Sequence, residues 1–396
     1  MGNRNPRILL GVTVDMSLRL MDGFPEHLVR AGWEVHIVSS PGPELDLLAG
    51  VPGITPHALH MSRRPSPMKD LRSLAEWIRL LRTIRPDVMS VGTPKAGLLG
   101  GLAGRFTGIR HRIYVLRGLR LETSVGLQRA VLTIFEKLAI ASAHEVVAVS
   151  RSLRDRVISM RLVDEKKVFV LGEGSSNGVE VSAFQRSNFT EAEYSELRGR
   201  LGIIEGIPVI GFVGRLTRDK GLLVLVEARK LLLCRGVEHQ VLIVGGVDGS
   251  GPGLSSMRVN DLGHTVVTGY VPDPRIYYQL MDLLCLPTLR EGFPNVVLEA
   301  ASAGIPTVTT NATGAVDSVI DGETGVLVEK NDPQSLASGL ERVLGDPEYR
   351  YRLGRKANAR VRAEFDRQAV WRRYAQFYAA RAHDPHTSKS STRGFV

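Results

Sequence analysis

Short apolar runs that alternate with segments of helical pattern constrain the fold of this chain more than any other feature. The runs are four to six residues long and form two series, one in each half of the chain. They cover residues 8–12, 34–39, 87–91, 112–116 and 145–150, then 208–213, 241–245, 265–269, 283–286 and 307–310. Strands separated by helices indicate parallel βαβ units, whose ligands bind beyond the carboxyl ends of the strands. The sequence therefore predicts an α/β protein with two doubly wound domains and an active site in the cleft between them.

The 396 residues are enough for two domains with separate cores. Turn-forming residues are concentrated between 170 and 184, which favours a boundary near this segment. We expect an N-terminal domain of residues 1–185 and a C-terminal domain of residues 186–370. The final segment, 386–396, is polar and is expected to be disordered.

One predicted helix carries two carboxylates beside a place suited to an anion. Pro294 is expected at its first position and Gly304 just past its end. Glu291 then lies on the preceding loop, and Glu299 lies inside the helix. The free N–H groups and positive dipole end of a helix N-terminus favour a phosphate, and neighbouring carboxylates suit the hydroxyls of ribose or a sugar. This layout predicts a nucleotide-sugar pocket.

A second segment supplies the cations for such a pocket. An apolar run ends at Gly214, and Arg215 and Lys220 follow it. Backbone amides beside a glycine, with arginine as a fork and lysine as a point charge, are suited to hold a diphosphate. Arg218 and Asp219 are interpreted as surface residues of the same turn.

These motifs carry a resemblance to a known family. Residues from about 205 to 345 resemble the donor half of the retaining glycosyltransferases of family 4, which have the GT-B fold of two Rossmann-like domains facing each other across a cleft. The motifs are Gly214-Arg215-Leu216…Lys220-Gly221, the run 241–246, Thr268-Gly269-Tyr270-Val271, Glu291-Gly-Phe-Pro…Glu299-Ala, Gly304-Ile-Pro, Asp321-Gly-Glu-Thr-Gly and Asp332-Pro. The resemblance also implies that a C-terminal helix, residues about 371–385, packs back on the N-terminal domain.

The resemblance implies a role for each residue of the pocket. Arg215 and Lys220 would hold the donor diphosphate and stabilise the leaving group, while Glu291 would bind the transferred sugar; these three are the expected catalytic residues. Glu299 would bind the ribose diol. The other implied donor contacts are Gly214, Gly292, Pro294, the backbone amides of Phe293 and Asn295 near the phosphates, and the chain at Tyr270 and Val271 beside the base.

The N-terminal half resembles, over residues 93–100 and 112–122, a family 4 branch that builds capsule, O-antigen and oligosaccharide-lipid precursors. Members of that branch usually act on sugars carried by polyprenyl diphosphate. Lys95, Arg117 and Arg120 are the expected contacts of an acceptor diphosphate. Many family members have a histidine in the loop after the strand that here ends before Arg117, and that branch has one at the position of Gly92. This chain has neither, which leaves open what replaces them.

Positive charge is concentrated in the N-terminal half. The net charge is +10, of which +9 falls in residues 1–186. A basic half suits an anionic membrane leaflet or lipid phosphate, and no basic-aromatic module or reading helix for nucleic acid is apparent. We therefore expect peripheral contact with an anionic membrane through this half and no binding of nucleic acid.

Two apolar helical patterns lie in the same half. Residues 67–84 place Leu71, Leu74, Ile78 and Leu81 at helical spacing between basic residues, which fits either a helix lying on anionic lipid or one packed on its own sheet. Segment 125–143 is apolar and is predicted to be core.

The remaining features concern the compartment. The N-terminus lacks the apolar core of a signal peptide, and no uncharged apolar stretch is long enough to span a bilayer. Cys234 and Cys285 are interpreted as buried thiols in a reducing compartment. The expected location is the cytoplasm, peripheral at the inner face of the membrane.

The expected reaction is retaining transfer of a hexose or N-acetylhexosamine from a nucleotide-sugar, with UDP favoured because it predominates in the family. The chain has no Asp-x-Asp motif, which predicts a metal-independent reaction without a cofactor. Neutralisation of the departing diphosphate by pre-aimed groups would supply the catalysis. A transferase acting on a soluble natural-product acceptor, a nucleotide-sugar 2-epimerase of GT-B fold and a non-catalytic lipid- or polysaccharide-binding module remain as alternatives.

Overall fold

The computed structural model describes residues 4–62, 66–246 and 264–383. The chain divides into two compact units, residues 1–177 with 368–396 and residues 178–367. The boundary falls between Asn177 and Gly178 rather than after residue 185, because Val179, Val181 and Phe184 pack in the core of the second unit. The segment 386–396, expected to be disordered, lies outside the described residues.

The first unit is built on one parallel sheet. Its strands are β1 (Arg7–Gly11), β2 (Glu34–Ser39), β3 (Ile54–Ala58), β4 (Val88–Gly92), β5 (His111–Leu116), β6 (Glu145–Ala148) and β7 (Val168–Phe169). Their order in the sheet is β3-β2-β1-β4-β5-β6-β7. The chain moves outward from β1 to β3 and returns to β4 beside β1, so a topological switch point lies between β1 and β4.

Helices cover this sheet and connect its strands. They are α1 (Phe24–Arg30), α2 (Pro43–Asp46), α3 (Pro67–Ile84), α4 (Pro94–Phe106), α5 (Gly126–Ser142) and α6 (Arg151–Ser159). Helix α4 packs between α3 and α5. Its glycines allow close contact with the sheet, since a Cβ at Gly97 would lie 2.4 Å from the ring of Tyr114. The hydroxyl of Tyr114 donates to Oε1 of Glu136 on α5 at 2.9 Å, which ties that helix to β5.

The structure corrects the expected faces of α3 and α5. Helix α3 has the predicted bounds, but it buries Ser73, Trp77, Leu81 and Ile84, while Leu71 is exposed. The periodicity located the helix, but the buried face includes Trp77 and not Leu71.

Helix α5 is not a core helix along its apolar stripe. Leu127, Ile134 and Leu138 are exposed, and the sheet-facing side instead buries Glu136, Ala139 and Ile140, with Ser142 at the helix end. The prediction of a buried 125–143 segment is therefore wrong for this stripe. Apolar periodicity shows that a helix has an apolar face, not that another element covers it.

The second unit repeats the architecture with a second parallel sheet. Its strands are β8 (Val209–Val213), β9 (Gln240–Val244), β10 (Thr265–Val267), β11 (Leu283–Leu286), β12 (Thr307–Thr310) and β13 (Gly325–Val328). The order β10-β9-β8-β11-β12-β13 places a switch point between β8 and β11. Its helices are α7 (Glu191–Leu201), α8 (Leu222–Cys234), α9 (Arg275–Tyr278), α10 (Asn295–Ser302), α11 (Pro333–Gly345) and α12 (Pro347–Glu364). The prediction of two doubly wound domains is confirmed.

The last described helix returns to the first unit. Helix α13 (Arg367–Ala382) buries Trp371, Tyr374 and Tyr378 against Phe24 of α1. The indole N–H of Trp371 donates to Oδ1 of Asn177 at 2.7 Å. This aromatic contact makes α13 part of the core of the first unit.

The two cysteines have different environments. Cys285 lies in β11 and is buried, which raises the pKa of its thiol. Cys234, expected to be buried, is exposed at the end of α8. Leu232 faces the core, and a residue two positions further lies about 200° around the helix.

Across the described residues, no helix combines the length and apolar character needed to cross a bilayer.

Candidate active site

Two loops meet at the carboxyl ends of β8 and β11, at the switch point of the second sheet. The first, residues 214–221, leads from β8 into α8, and the second, residues 287–294, leads from β11 into α10. They are in direct contact at Gly221, which has a φ of +73°; a Cβ there would lie 1.8 Å from the carbonyl oxygen of Pro287. Only glycine suits this backbone conformation and close approach.

Two ion pairs of opposite polarity join the loops. Nζ of Lys220 lies 2.5 Å from Oε1 of Glu291, and a guanidinium nitrogen of Arg290 lies 2.8 Å from Oδ2 of Asp219. Successive residues of one loop thus pair with successive residues of the other. The hydroxyl of Thr288, which is buried, donates toward the carbonyl oxygens of Asp219 and Arg290. This double pair fixes the expected catalytic residues Lys220 and Glu291 relative to each other.

Asp219 is not the surface residue that the sequence suggested. Burial opposes its ionisation, yet the nearby hydroxyl of Thr217 and the charges of Arg290 and Lys220 hold the pKa of its carboxyl below the usual value. Its neighbour Arg218 is exposed, as the turn interpretation has it. Asp219 is therefore part of the structure that positions the site.

The helix after the second loop begins one residue later than expected. Pro294 is the N-cap of α10 and Asn295 is the first helical residue, with the N–H of Val297 bonded to the carbonyl oxygen of Pro294. The β-region backbone of Pro294 suits an N-cap. At the other end Gly304 has a φ of +78°, in the expected position just past the helix.

The N-terminus of α10 leaves backbone donors available for a ligand. Within the described part of the chain, the N–H groups of Gly292, Phe293, Asn295 and Val296 have no hydrogen-bond partner. These groups and the positive end of the helix dipole favour an anion. The loop that supplies Glu291 therefore continues directly into a place suited to phosphate oxygens.

Glu299 lies a turn into α10 and is held by a buried tyrosine. The hydroxyl of Tyr278, at the end of α9, donates to Oε2 of Glu299 at 2.6 Å. Burial raises the pKa of Glu299, an effect that this hydrogen bond and the charge of Arg367 partly offset. One carboxylate oxygen is thus fixed, and Oε1 remains to accept hydrogen bonds from a diol.

The remaining expected donor contacts line the same edge of the second sheet. Gly214 follows β8, and its N–H bonds to the carbonyl oxygen of Val244. Arg215 is exposed on the same loop. Tyr270, 67% exposed, follows β10, where Val271 packs against the core.

Phe293 does not extend freely from its loop. Its ring packs on that of Phe365, with the ring centroids 5.1 Å apart. Only its backbone amide is therefore offered to a phosphate, which is the role that the resemblance implied.

The three expected acceptor residues lie in different environments of the first unit. Nζ of Lys95 forms a 2.7 Å ion pair with Oδ1 of Asp70, and both side chains are largely buried. A guanidinium nitrogen of Arg117 donates to the carbonyl oxygen of Leu20 at 3.1 Å. Arg120 is exposed in a short 3-10 helix after β5. The structure does not gather the three into one cluster.

Arg117 explains the absence of a side chain at position 92. A Cβ on Gly92 would lie 2.8 Å from Nε of Arg117, so the arginine occupies the space beside that glycine. Nε of Arg117 is buried without a hydrogen-bond partner in the described structure, and its pKa is lowered by burial. It lines a small cavity together with Ser90, Tyr374 and Tyr378. A histidine at position 92 would require this arginine to move.

Sequence reasoning missed the residues at the switch point of the first sheet. Thr93, which follows β4, has a φ of +77°, a strained value for a β-branched residue. Its hydroxyl lies 2.7 Å from that of Thr13, which also accepts the N–H of Ala96 in the first turn of α4. Backbone strain of this kind is concentrated at functional sites. The sequence offered one indication of their importance, which is that each threonine follows a predicted strand.

Among the described residues, no group of three or more His, Cys, Asp and Glu is arranged to hold a metal ion. Metal independence therefore stays a prediction based on the sequence.

Two doubly wound units, one of them with paired loops and unpaired helix N–H groups at its switch point, fit the class of GT-B glycosyltransferases. The family comparisons agree with this class. Residues 193–360 match the model described as glycosyl transferases group 1, and residues 24–174 match the model described as a glycosyl transferase 4-like domain. The chain belongs to glycosyltransferase family 4.

Similar proteins place it beside the capsule and oligosaccharide-lipid enzymes. A capsular polysaccharide biosynthesis glycosyltransferase from Staphylococcus aureus, CapM, is 36% identical over 95% of this chain and 97% of its own. UDP-Gal:alpha-D-GlcNAc-diphosphoundecaprenol alpha-1,3-galactosyltransferase of Escherichia coli is 26% identical, covering 72% of this chain and 73% of its own. The crystal structure of Anabaena HepE in complex with UDP-glucose has the same fold, with a TM-score of 0.76, 20% identity and coverage of 94% of this chain and 99% of that one.

Proposed function

We propose that this protein is a retaining, metal-independent glycosyltransferase that moves a hexose or N-acetylhexosamine from a UDP-sugar to a hydroxyl of a polyprenyl-diphosphate-linked saccharide. The observation that carries the proposal is the Lys220–Glu291 pair, which joins the two switch-point loops beside the free N–H groups of α10. The pair places a cation suited to a diphosphate next to a carboxylate suited to a sugar hydroxyl.

In the proposed reaction the positively charged groups act on the diphosphate, and the carboxylate of Glu291 acts on the sugar. Lys220 has three N–H donors, so it can keep its bond to Glu291 and also donate to a phosphate oxygen. Arg215 and the N-terminus of α10 add positive charge around the same phosphates. As the bond between the anomeric carbon and the diphosphate breaks, these groups stabilise the negative charge on the departing oxygen. Glu291 accepts a hydrogen bond from the transferred sugar and orients it.

The acceptor completes the reaction on the same face of the sugar. Its hydroxyl oxygen bonds to the anomeric carbon on the side from which the diphosphate leaves, and its proton passes to the departing phosphate oxygen. Configuration is thereby retained without a protein nucleophile.

Two similar proteins support the substrate classes. The Escherichia coli enzyme is named for a UDP-galactose donor and a diphosphoundecaprenol-linked acceptor, and the Anabaena protein was crystallised with UDP-glucose. A lipid-linked acceptor also suits the net charge of +9 in residues 1–186, since anionic lipid attracts basic protein surfaces. We place the protein in the cytoplasm, peripheral at the inner face of the membrane.

The test is a transfer assay with a short-chain prenyl-diphosphate-linked GlcNAc in solution. The purified protein is incubated with UDP-, GDP-, ADP- and dTDP-sugars, with and without this acceptor and with and without EDTA. We expect a glycosylated product from one or more UDP-sugars only, formed equally well with the chelator. NMR of the product reports the anomeric configuration, which should match that of the donor.

Each other result contradicts a defined part of the proposal. Conversion of the donor without an acceptor would indicate an epimerase, and an inverted linkage would exclude the retaining mechanism. Loss of transfer in EDTA would show a metal requirement. Transfer to soluble saccharides but not to the prenyl-linked one would favour the natural-product acceptor class.

A further inference from the structure

The outward side of α5 is an apolar surface that no described element covers. Leu127 is 81% exposed, Ile134 is 55% exposed and Leu138 is 43% exposed. Val125, just before the helix, is also 81% exposed. These four residues and the half-buried Val131 form what we call the α5 face. Scattered exposed apolar residues are normal, but a contiguous row of large ones indicates an interaction surface.

The spacing shows that the row lies on one side of the helix. Leu127, Val131, Ile134 and Leu138 follow the i, i+4, i+7, i+11 pattern, which keeps them within a narrow stripe at 3.6 residues per turn. The opposite side of the helix carries Glu136, which is buried and bonded to Tyr114 of β5. The α5 face therefore points away from its own sheet.

Charge on and beside α5 indicates the kind of partner. Arg120, Arg129 and Lys137 are exposed, and no carboxylate in the described part of the chain pairs with them. The one acidic residue of the helix is the buried Glu136. An apolar stripe accompanied by basic side chains and free of exposed carboxylates is the pattern of a helix that lies in the plane of an anionic bilayer interface.

The position of the helix connects this surface to the site. Gly126 begins α5 just after the loop that follows β5, so its most exposed turn lies toward the carboxyl edge of the first sheet. Thr13, Thr93 and Lys95 follow strands β1 and β4 at that same edge. A helix embedded at the level of lipid head groups would bring this edge to a diphosphate carried by a prenyl chain.

We propose that the α5 face inserts into the head-group region of an anionic membrane and so presents the first unit to its acceptor. The membrane contact is inferred from the α5 face itself, whereas the presentation of a lipid-linked acceptor rests on the proposed function.

The experiment is sedimentation of the full chain with vesicles of phosphatidylglycerol and phosphatidylcholine, and with phosphatidylcholine alone. The test variant is Leu127→Ser with Ile134→Ser. The matched control is Ile204→Ser with Leu233→Ser, which replaces residues that are 42% and 50% exposed in the second unit. We expect partitioning of the native chain into anionic vesicles, a loss of roughly tenfold or more in the test variant and no change in the control.

A charge variant separates the two contributions. Arg129→Glu with Lys137→Glu should weaken binding to anionic vesicles and remove the difference between the two vesicle types. Unchanged thermal unfolding of every variant shows that the substitutions act at the surface. Equal partitioning of the test variant and the native chain would overturn the proposal. Absence of native-chain binding to either vesicle type would overturn it as well.

Two further results keep the membrane proposal separate from the function. Light scattering that shows a native dimer, converted to monomer by Leu127→Ser with Ile134→Ser, would assign the α5 face to a second copy and overturn membrane insertion. Turnover on the soluble short-chain acceptor should be unchanged in the test variant. If no variant transfers sugar but the lipid-binding differences hold, the reaction is wrong and the membrane contact stands.

Discussion

At the scale of single residues, two carboxylates of the second unit are each fixed by one strong donor. Glu291 is paired with Lys220, and Glu299 accepts from Tyr278. Hydrogen bonds and ion pairs of this kind preorganise a side chain, so that a ligand does not have to order it on binding. Of the two donors only Lys220 carries a positive charge, which in the proposed function offsets the negative charge of the diphosphate.

Lys220→Ala tests that charge. The substitution removes the cation that offsets charge on the leaving diphosphate and leaves Glu291 unpaired, so turnover should fall by roughly two orders of magnitude or more. Steady-state rates with the UDP-sugar identified by the transfer assay measure the effect. Arg218→Ala is the matched control, since this exposed arginine lies on the same turn and should leave turnover nearly unchanged. Near-normal turnover in Lys220→Ala would contradict the proposed role of Lys220 in stabilising charge on the leaving diphosphate.

Tyr278→Phe tests how Glu299 is held. The variant removes the 2.6 Å hydrogen bond but keeps the ring that packs on Phe184. Ordering a side chain that is no longer held in place costs about 0.5–1.5 kcal/mol on binding, so the Kd for UDP should rise about two- to tenfold. The Kd for pyrophosphate, which has no ribose, should stay the same. Calorimetric titration measures both, with Tyr277→Phe as the control; equal weakening of both ligands would show a general disturbance instead.

At the scale of elements, the contact between α5 and β5 contains a buried acid. Glu136 is 5% exposed and bonded to Tyr114, and burial raises its pKa to about 7. Between the ordinary glutamate pKa and about 7, the folded chain holds a proton that the unfolded chain has lost. This contribution to stability is complete at low pH and decreases as the pH rises through that window.

Glu136→Gln isolates this effect because glutamine is neutral at every pH. Relative to the native chain, the variant should gain roughly 2–3 kcal/mol in free energy of unfolding between pH 5 and pH 8. Thermal unfolding across this range measures the difference, with the exposed Glu238→Gln as control. A difference that stays constant with pH would contradict the raised pKa of Glu136.

Elements also show what the sequence could predict. The apolar runs located ten of the thirteen described strands and did not include β3, β7 or β13. Strand β3 was missed because Thr55, Pro56 and His57 interrupt its apolar pattern. The motif residues of the candidate site could be proposed from the sequence because each lies within a few positions of a strand end or helix start. The sequence did not predict the Asp219–Arg290 pair, whose residues lie 71 positions apart, or the Tyr278–Glu299 bond, whose residues lie 21 positions apart. Contacts of that kind depend on how the sheet brings strand ends together.

At the scale of the whole molecule, the chain leaves the first unit at Asn177 and returns to it at Gln368. The returning helix α13 supplies four buried aromatic side chains to that unit, Trp371, Tyr374, Phe377 and Tyr378. The first unit is therefore incomplete until synthesis of the second is finished. Its stability depends on residues that lie about 190 positions from its other core residues.

Trp371→Ala tests this dependence. The indole is 4% exposed, donates to Asn177 and lies against Phe24 and His27, so its removal leaves a cavity and takes the donor from the side-chain oxygen of Asn177. The loss should be about 3–5 kcal/mol, confined to the first unit. Calorimetry should show the unfolding transition of the first unit at a lower temperature. The transition of the second unit, whose midpoint temperature UDP is expected to raise, should stay where it is in the native chain.

The control for this substitution is Tyr351→Ala, which removes an aromatic ring that is 70% exposed on α12 and should change stability by less than about 0.5 kcal/mol. An equal fall of both transitions in Trp371→Ala would contradict the division into two units, because it would mean that α13 stabilises both cores. A fall confined to the transition that does not respond to UDP would show that the first unit is completed by its last described helix, α13, after the second unit has already been synthesised.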